Sequence, residues 1–232
     1  MSKFPFDIVL FDLDGTLVDS SLDLAPAINH ALTMEGRPHV DPVELRSMIG
    51  GGAVRMLKNA LLASGGMVER DRFDVLKNAL LGHYWAHIAD NTVPFPGCVT
   101  ALEALSKLGC TLAVCTNKTE GPARQLLDAL DMAKHFSTVY GSDTLGRDRA
   151  KPHPDMLLAA AKDCGGGRVA MVGDSTYDTS AARGAGVPVV AVSFGFNDIP
   201  AKDLDCDALI DHFDELVPAL QTIGSKLASV AV

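Results

Sequence analysis

Residues 9–17 of this chain read Val-Leu-Phe-Asp-Leu-Asp-Gly-Thr-Leu, an apolar run that ends in two aspartates and a glycine. In an extended strand, residues i and i+2 point to the same side, so Asp12 and Asp14 can converge where the strand ends. Gly15 lets the chain turn there without a steric penalty. Because an Asp-Gly pair after a strand is also typical of a plain turn, the run predicts either paired carboxylates or a simple turn at the end of a strand.

Two later segments also consist of an apolar run that is followed by polar residues. Residues 169–178 read Val-Ala-Met-Val-Gly-Asp-Ser-Thr-Tyr-Asp, and residues 112–118 read Leu-Ala-Val-Cys-Thr-Asn-Lys. Lys151 follows in the segment Ala-Lys-Pro-His-Pro. Apolar runs of this kind are typical of parallel strands that are buried on both faces, and ligands of such sheets bind beyond the carboxyl ends of the strands. We therefore expect the polar residues that follow the runs to share one site.

With these segments in place, the chain resembles the haloacid dehalogenase (HAD) superfamily of phosphotransferases and phosphatases. All four motifs of that superfamily occur in order, as Asp12-Leu13-Asp14-Gly15-Thr16, Thr116-Asn117, Lys151 and Gly173-Asp174-Ser175-Thr176-Tyr177-Asp178. Flanking segments, among them Leu17-Val18-Asp19-Ser20 and Phe95-Pro96-Gly97, extend the resemblance over nearly the whole chain. They point to the branch that contains phosphoglycolate phosphatases.

The hydrophobic pattern divides the chain into two kinds of segment. Between the first motif and Pro94 the spacing is helical, over residues 20–34, 53–64 and 68–90, and a capping-box pattern at Asp41 predicts one further helix. From Pro94 onward the pattern predicts helices at 97–108, 120–131 and 154–163 that alternate with apolar strands at 111–116, 137–141, 169–173 and 188–193. This alternation implies a parallel sheet with helices on both faces. We expect an α/β fold with a Rossmann-like core at residues 1–18 and 95–232. An all-helical cap domain would occupy residues 19–94, as the resemblance also implies.

Charge and composition argue against several other classes of protein. A formal net charge of −9 disfavours binding to nucleic acids or anionic membranes, which requires a basic surface. The five cysteines form no Cys-x-x-Cys pair, and an odd number fits no complete disulfide framework. We find no signal peptide and no apolar span long enough for a membrane helix. We expect a soluble cytoplasmic monomer or homodimer whose partner is a small phosphorylated metabolite.

The resemblance implies a role for each motif residue. Asp12 would be the nucleophile that forms an aspartyl-phosphate, which water then hydrolyses, and Asp14 would be the general acid and base. Thr116 and Asn117 would donate hydrogen bonds to phosphoryl oxygens. Lys151 would hold the Asp12 carboxylate and the phosphate together.

Mg²⁺ is the expected cofactor, because the motif aspartates crowd negative charge beside an anionic substrate and Mg²⁺ prefers hard oxygen ligands. By the resemblance, the metal would contact the carboxylates of Asp12 and Asp174 and the backbone carbonyl of Asp14. Asp178 would support the metal waters or Lys151. Crowding should raise the pKa of one carboxyl group, and a protonated Asp14 could then donate to the leaving group.

The predicted cap contains a second candidate anion site. Gly50-Gly51-Gly52 precedes a helical stretch and would leave unpaired backbone N–H groups at its start, and Arg55 follows one turn later. Our hypothesis is that Gly51, Gly52 and Arg55, helped by Arg46, bind the carboxylate of phosphoglycolate. The glycines could equally serve as a hinge or allow tight helix packing.

His83 and His87 are four residues apart, and two histidines at this spacing on a helix can bind zinc together. Tyr84 and Trp85 lie between them and no third ligand stands at motif spacing, so we expect packing or surface roles for both histidines.

The most favoured function is a Mg²⁺-dependent phosphomonoesterase that hydrolyses 2-phosphoglycolate to glycolate and phosphate. The alternatives are a phosphatase of another small phosphometabolite and a phosphosugar mutase with the same Asp12 phosphoenzyme. Asp14 argues against dehalogenation, and phosphonate cleavage would require a Schiff-base lysine such as Lys58 or Lys77. The intact motifs argue against a non-catalytic binding protein. We also expect the cap to move over the site about the crossings near residues 18 and 94.

Overall fold

The computed structural model describes residues 4–41 and 52–230. Six strands form one parallel sheet in the order β5-β4-β1-β6-β7-β8, and β2 and β3 form a separate antiparallel pair. The strands are β1 (Ile8–Phe11), β2 (Val18–Asp19), β3 (Val93–Pro94), β4 (Thr111–Cys115), β5 (Thr138–Tyr140), β6 (Val169–Gly173), β7 (Val189–Val192) and β8 (Ala208–Ile210). The predicted α/β class with a parallel sheet is confirmed.

The central strand β1 is buried on both faces, as its continuous apolar sequence predicts. Its side chains alternate between two apolar clusters. Val9 and Phe11 belong to one cluster, and Ile8 and Leu10 to the other. Because successive side chains of a strand point to opposite faces, the two clusters lie on opposite sides of the sheet.

The described helices cover both faces of the sheet and form a separate helical layer. They are α1 (Ser21–Thr33), α2 (Ala53–Ala63), α3 (Arg70–Ala86), α4 (Cys98–Lys107), α5 (Glu120–Ala129), α6 (Asp155–Asp163), α7 (Thr176–Ala185) and α8 (Leu216–Val230). Residues of α6 and α7 join one apolar cluster, and residues of α4, α5 and α8 join the other. Helices α1, α2 and α3 pack against one another. None of the described helices is long and apolar enough to cross a membrane.

The β2–β3 pair, β8, α7 and α8 are not among the predicted elements. In the pair, Val18 lies opposite Pro94 and Asp19 opposite Val93. The pair therefore joins the two chain segments that lead from the sheet to helices α1–α3. The division into a core at residues 1–18 and 95–232 and a cap at residues 19–94 stays a prediction.

Helix α1 differs from its predicted apolar face at its start. The helical spacing of apolar residues in 20–34 predicts that Leu22 lies on the buried face, but Leu22 is 52% exposed, whereas Asp23 is 2% exposed. The Asp23 carboxylate accepts hydrogen bonds from Asn91 and Thr92, which explains how a charged side chain can occupy the buried position. The helix predicted to begin after Asp41 lies outside the described residues.

Candidate active site

The motif residues meet at the carboxyl-terminal edge of the sheet. Strands β1, β4 and β6 are neighbours in the sheet, and they end immediately before Asp12, Thr116 and Asp174. The chain order reverses around β1, since β4 and β5 lie on one side and β6, β7 and β8 on the other. Ligands of open parallel sheets bind at such a reversal point, so the topology provides a crevice where these side chains converge.

Lys151 connects two of the carboxylates. Its Nζ lies 2.9 Å from Asp12 Oδ1 and 2.6 Å from Asp178 Oδ1, and the residue is 4% exposed. Burial lowers the pKa of Lys151, but the carboxylates of Asp12 and Asp178 raise it by more, so the pKa ends above its ordinary value. Lys151 therefore remains a cation fixed beside Asp12.

Burial changes the acidity of two carboxyl groups in the crevice. It raises the pKa of Asp12 to about 6 against the opposing attraction of Lys151. It also raises the pKa of Asp174 well above the ordinary value, and the negative charges of Asp178 and Asp12 act in the same direction. The sequence predicts that crowding by like charges raises the pKa of one carboxyl group; in the structure the pKa values of two groups, Asp12 and Asp174, are raised, and burial is the main cause.

The buried acidic cluster has the donor set of a site for a hard divalent cation. Among the described residues, Asp12, Asp174 and Asp178 form the one group of Asp, Glu, His or Cys side chains whose ligand atoms all lie within 4.8 Å of one another. In the part of the chain that the structure describes, Lys151 is the cation within hydrogen-bond distance of this cluster, and its single positive charge offsets only part of the negative charge of three carboxylates. Carboxylate oxygens in this setting fit Mg²⁺.

Asp178 has its own structural partners within that cluster. Its Oδ2 accepts hydrogen bonds from the backbone N–H groups of Asp174 and Ser175, at 3.2 and 3.0 Å, and from the Ser175 hydroxyl at 2.6 Å. These contacts cap the start of α7, while Oδ1 holds Lys151. Asp178 thus orients Lys151 and the loop that carries Asp174.

Gly15 allows the first motif to approach the last. Its φ is +87°, and a Cβ atom there would lie 2.3 Å from Asp174 Oδ2. The same Asp174 oxygen accepts a hydrogen bond from Phe196 N at 2.6 Å, and Thr16 donates to Oδ1 at 3.2 Å. A side chain at position 15 would therefore displace the Asp174 carboxylate.

Thr116 and Asn117 of the second motif form hydrogen bonds with other residues of the protein. Thr116 Oγ1 accepts a hydrogen bond from Lys118 N at 3.2 Å, which leaves its own hydroxyl proton available. The Asn117 side-chain amide donates to the Lys151 carbonyl oxygen at 3.0 Å. Asn117 therefore stabilises the backbone position of Lys151, in addition to any contact with a phosphoryl group.

Asp14 faces a different cation from Asp12. Its two carboxylate oxygens accept hydrogen bonds from Lys118 Nζ at 2.9 and 2.7 Å, and the same Nζ donates to the Tyr84 hydroxyl at 2.6 Å. The Lys118 side chain is 7% exposed. Burial raises the pKa of Tyr84 to about 12, so its hydroxyl is neutral at ordinary pH.

Neither Lys118 nor Tyr84 was among the candidate site residues. Lys118 directly follows Thr116-Asn117, and that position was the available signal for it. Tyr84 lies on α3, far from every motif in the sequence, and was noted only as a spacer between two histidines.

A cavity of about 640 Å³ lies over this crevice. Residues of the sheet edge and of helices α2 and α3 are among those that line it. The lining includes Asp12, Asp14, Gly52, Arg55, Tyr84 and Lys118. A small phosphate ester would fit in this volume with both the sheet edge and the helical layer around it.

The predicted cap site is described only in part, since Gly51 and Arg46 lie outside the described residues. Gly52 has φ +87°, and a Cβ there would lie 3.4 Å from the Asn117 carbonyl oxygen, so the start of α2 comes close to the second motif. Arg55 is exposed, and its guanidinium donates a hydrogen bond to the Tyr177 hydroxyl. Lys58 and Lys77 are not among the residues that line the cavity.

His83 and His87 stack with a third histidine. The ring centroids of His30 and His83 are 5.0 Å apart, and those of His83 and His87 are 4.8 Å apart. Within the described part of the chain, these rings do not form a group whose ligand atoms are close enough to share a metal ion.

The sequence and the fold of this chain were compared with those of known proteins. The model of the family described as haloacid dehalogenase-like hydrolase matches residues 9–192. A phosphoglycolate phosphatase from Agrobacterium fabrum is 39% identical over 227 residues, which are 97% of this chain and 97% of that protein. One from Caulobacter vibrioides is 38% identical over 93% of this chain and 91% of its own length. The crystal structure of a predicted phosphoglycolate phosphatase from Haemophilus somnus superimposes with a TM-score of 0.85 at 30% identity, covering 95% of this chain and 100% of that one.

Proposed function

The chain belongs to the haloacid dehalogenase-like hydrolases, and from this premise we propose that it hydrolyses 2-phosphoglycolate to glycolate and phosphate. It is a phosphoric monoester hydrolase. The observation that carries the proposal is the buried Lys151, whose Nζ lies between the carboxylates of Asp12 and Asp178 at the sheet edge. The relatives named phosphoglycolate phosphatase support the choice of substrate. A carboxylate can attack an anionic phosphate only where a fixed positive charge offsets the repulsion.

In the first half of the reaction, an Asp12 carboxylate oxygen attacks phosphorus, and the bond from phosphorus to the bridging oxygen breaks. With a pKa of about 6, Asp12 is mainly ionised at neutral pH and therefore nucleophilic. Lys151 aligns the carboxylate, and Thr116 and Asn117 contribute hydrogen bonds around the phosphoryl oxygens. Asp14 gives a proton to the departing glycolate oxygen.

In the second half, Asp14 takes a proton from water, whose oxygen attacks the phosphorus of the aspartyl-phosphate. Phosphate leaves and the Asp12 carboxylate is restored. Lys118 contacts both Asp14 oxygens, so it holds this carboxylate in a fixed orientation between the two halves.

The expected metal is Mg²⁺, which the Asp12 and Asp174 carboxylates and the Asp14 backbone carbonyl would hold. When bound, the ion would offset charge on the phosphoryl oxygens. Asp178 keeps its supporting role through Lys151 and through the N–H groups at the start of α7.

The substrate site, the oligomeric state and the cellular compartment complete the proposal. The sequence also predicts an anion site at Gly51, Gly52 and Arg55, and of these Gly52 and Arg55 line the cavity. The small phosphorylated metabolite is the only partner we propose, and the enzyme would work as a monomer or homodimer in the cytoplasm. The free thiols of all five cysteines are compatible with a reducing compartment.

The test is phosphate release from a panel of phosphomonoesters that includes 2-phosphoglycolate, with Mg²⁺ or with a chelator. Wild type would be compared with Asp12→Asn and with a matched control, Asp128→Asn, at an exposed position. We expect Mg²⁺-dependent preference for phosphoglycolate that is lost in Asp12→Asn and kept in the control. Broad activity without that preference would refute the substrate. Return of the phosphoryl group to a sugar would favour the mutase.

A further inference from the structure

Lys118 and Tyr84 form a pair of hydrogen-bond donors beside the proposed acid and base. Lys118 Nζ contacts both oxygens of Asp14 and the Tyr84 hydroxyl, at distances of 2.6 to 2.9 Å. Both residues line the cavity, and Tyr84 is 2% exposed. Within the described residues, the Tyr84 hydroxyl accepts this one hydrogen bond, so its own proton is available to a ligand oxygen.

The charges around the two buried lysines differ. Lys151 contacts two carboxylates, those of Asp12 and Asp178. Among the described residues, Lys118 contacts one carboxylate, that of Asp14, although burial makes the lysine a strong partner for anions. The positive charge of Lys118 is therefore offset by fewer carboxylates than that of Lys151. An additional anion would be attracted more strongly to Lys118 than to Lys151.

The chemistry of the proposed substrate places such an anion close by. In 2-phosphoglycolate the carboxylate is separated from the bridging oxygen by one carbon atom. Asp14 must reach that bridging oxygen to donate a proton to it. A cation in direct contact with Asp14 is therefore within reach of the substrate carboxylate.

From this geometry we propose that Lys118 and Tyr84 bind the carboxylate of the substrate and so select phosphate esters that carry a carboxylate one carbon from the bridging oxygen. The inference rests on the proposed function. It assigns the selective contact to a buried pair that spans the sheet edge and α3, in place of the anion site predicted from the sequence at Gly51, Gly52 and Arg55. Arg55, by contrast, is exposed and already donates to Tyr177.

The experiment compares 2-phosphoglycolate with ethyl phosphate, in which a methyl group replaces the carboxylate. The measured quantity is the preference, defined as the ratio of the two kcat/KM values. Lys118→Gln removes the charge but keeps a hydrogen-bond donor, Tyr84→Phe removes one hydroxyl, and Lys118→Arg keeps the charge. Lys107→Gln is the matched control, since the Lys107 side chain is 78% exposed.

We expect the preference to fall about ten- to a hundredfold in Lys118→Gln, the range for losing a hydrogen bond to a charged group, and mainly through KM for phosphoglycolate. Tyr84→Phe should lower it about threefold or more. Lys118→Arg should keep part of the preference, and Lys107→Gln all of it. The ratio cancels any loss that both substrates share because Asp14 has been disturbed.

Three results would count against the inference. Equal losses for both substrates in Lys118→Gln would show that Lys118 acts only through Asp14. A preference lost in Arg55→Gln but kept in Lys118→Gln would assign the contact to Arg55. A wild-type enzyme without any preference for phosphoglycolate would instead overturn the proposed function. If Lys118→Gln does not fold, Tyr84→Phe decides, and an unchanged preference there overturns the inference.

Discussion

Asp23 joins the start of α1 to the segment that enters β3, and its replacement tests how that junction is held. The carboxylate accepts hydrogen bonds from Thr92 N at 2.8 Å, Thr92 Oγ1 at 2.6 Å and the backbone and side-chain nitrogens of Asn91 at 3.0 Å. Asp23 is 2% exposed and Thr92 is 3% exposed. We expect Asp23→Ala to lower the free energy of unfolding strongly.

The magnitude follows from the donors that lose their acceptor. In Asp23→Ala the N–H and the hydroxyl of Thr92 stay buried, and each unpaired donor costs about 1 to 3 kcal/mol. The free energy of unfolding should therefore fall by about 2 to 6 kcal/mol. Asn91 is exposed, so water can replace its contacts. Asp23→Asn keeps one acceptor oxygen and should cost less, about 1 to 2 kcal/mol.

The effect should also depend on pH. Burial raises the pKa of Asp23, but the hydrogen bonds from Thr92 and Asn91 lower it by more, so the folded-state pKa lies below the ordinary value. A depressed carboxyl pKa stabilises the fold above the unfolded-state pKa, near 4, and this contribution is lost as the pH falls through the folded-state pKa. The stability difference between wild type and Asp23→Asn should therefore be full at pH 7 and smaller below about pH 4.

The assay is urea unfolding, followed by circular dichroism at pH 7, 5 and 3.5. Asp128→Ala serves as the control, because Asp128 is exposed near the end of α5 and its replacement should change stability by no more than about 0.5 kcal/mol. An Asp23→Ala variant as stable as this control at pH 7 would refute the hydrogen-bond argument. A wild-type to Asp23→Asn difference that is unchanged at pH 3.5 would refute the assignment to the ionised carboxylate.

Three further predictions concern the sheet edge. Lys151→Met should abolish phosphate release and lower the free energy of unfolding by about 3 kcal/mol or more in urea titrations, because it leaves the buried Asp12 carboxylate without its cation. Gly15→Ala should lose activity and stability because its Cβ would meet Asp174 at 2.3 Å, whereas Gly36→Ala, with φ +63° and no atom within 4 Å of its Cβ, should show only a backbone cost of about 1 kcal/mol and full activity. Mg²⁺ should raise the unfolding temperature of wild type in thermal scans, a chelator should reverse this, and Asp174→Asn should not respond.

Hydrophobic pattern alone was sufficient to predict the strands that build the crevice. The apolar runs before Asp12, Thr116 and Asp174 are continuous, and strands buried on both faces need apolar side chains at every position. The helix–strand alternation then predicts a parallel sheet, and a parallel sheet gathers the residues that follow its strands at one edge. This reasoning uses only local sequence and the general geometry of sheets.

The partners of the charged side chains could not be predicted in the same way. Asp14 and Lys118 are far apart in sequence, and Tyr84 comes from a helix of another layer, so their meeting depends on how α3 lies over the sheet edge. For the same reason, the helical pattern of α1 gave the wrong orientation for Leu22. A periodic pattern records which side chains are apolar, but it does not record that a buried Asp23 finds four donor groups in the segment before β3.

The sequence by itself determined the parallel sheet, the order of the motifs and the kinds of side chain that follow each strand, because these depend on local periodicity and chain order. Tertiary structure decided which cation faces which carboxylate: Lys151 faces Asp12, and Lys118 faces Asp14. It also decided which carboxyl groups have a raised pKa, since burial, the main cause at Asp12 and Asp174, exists only in the folded chain.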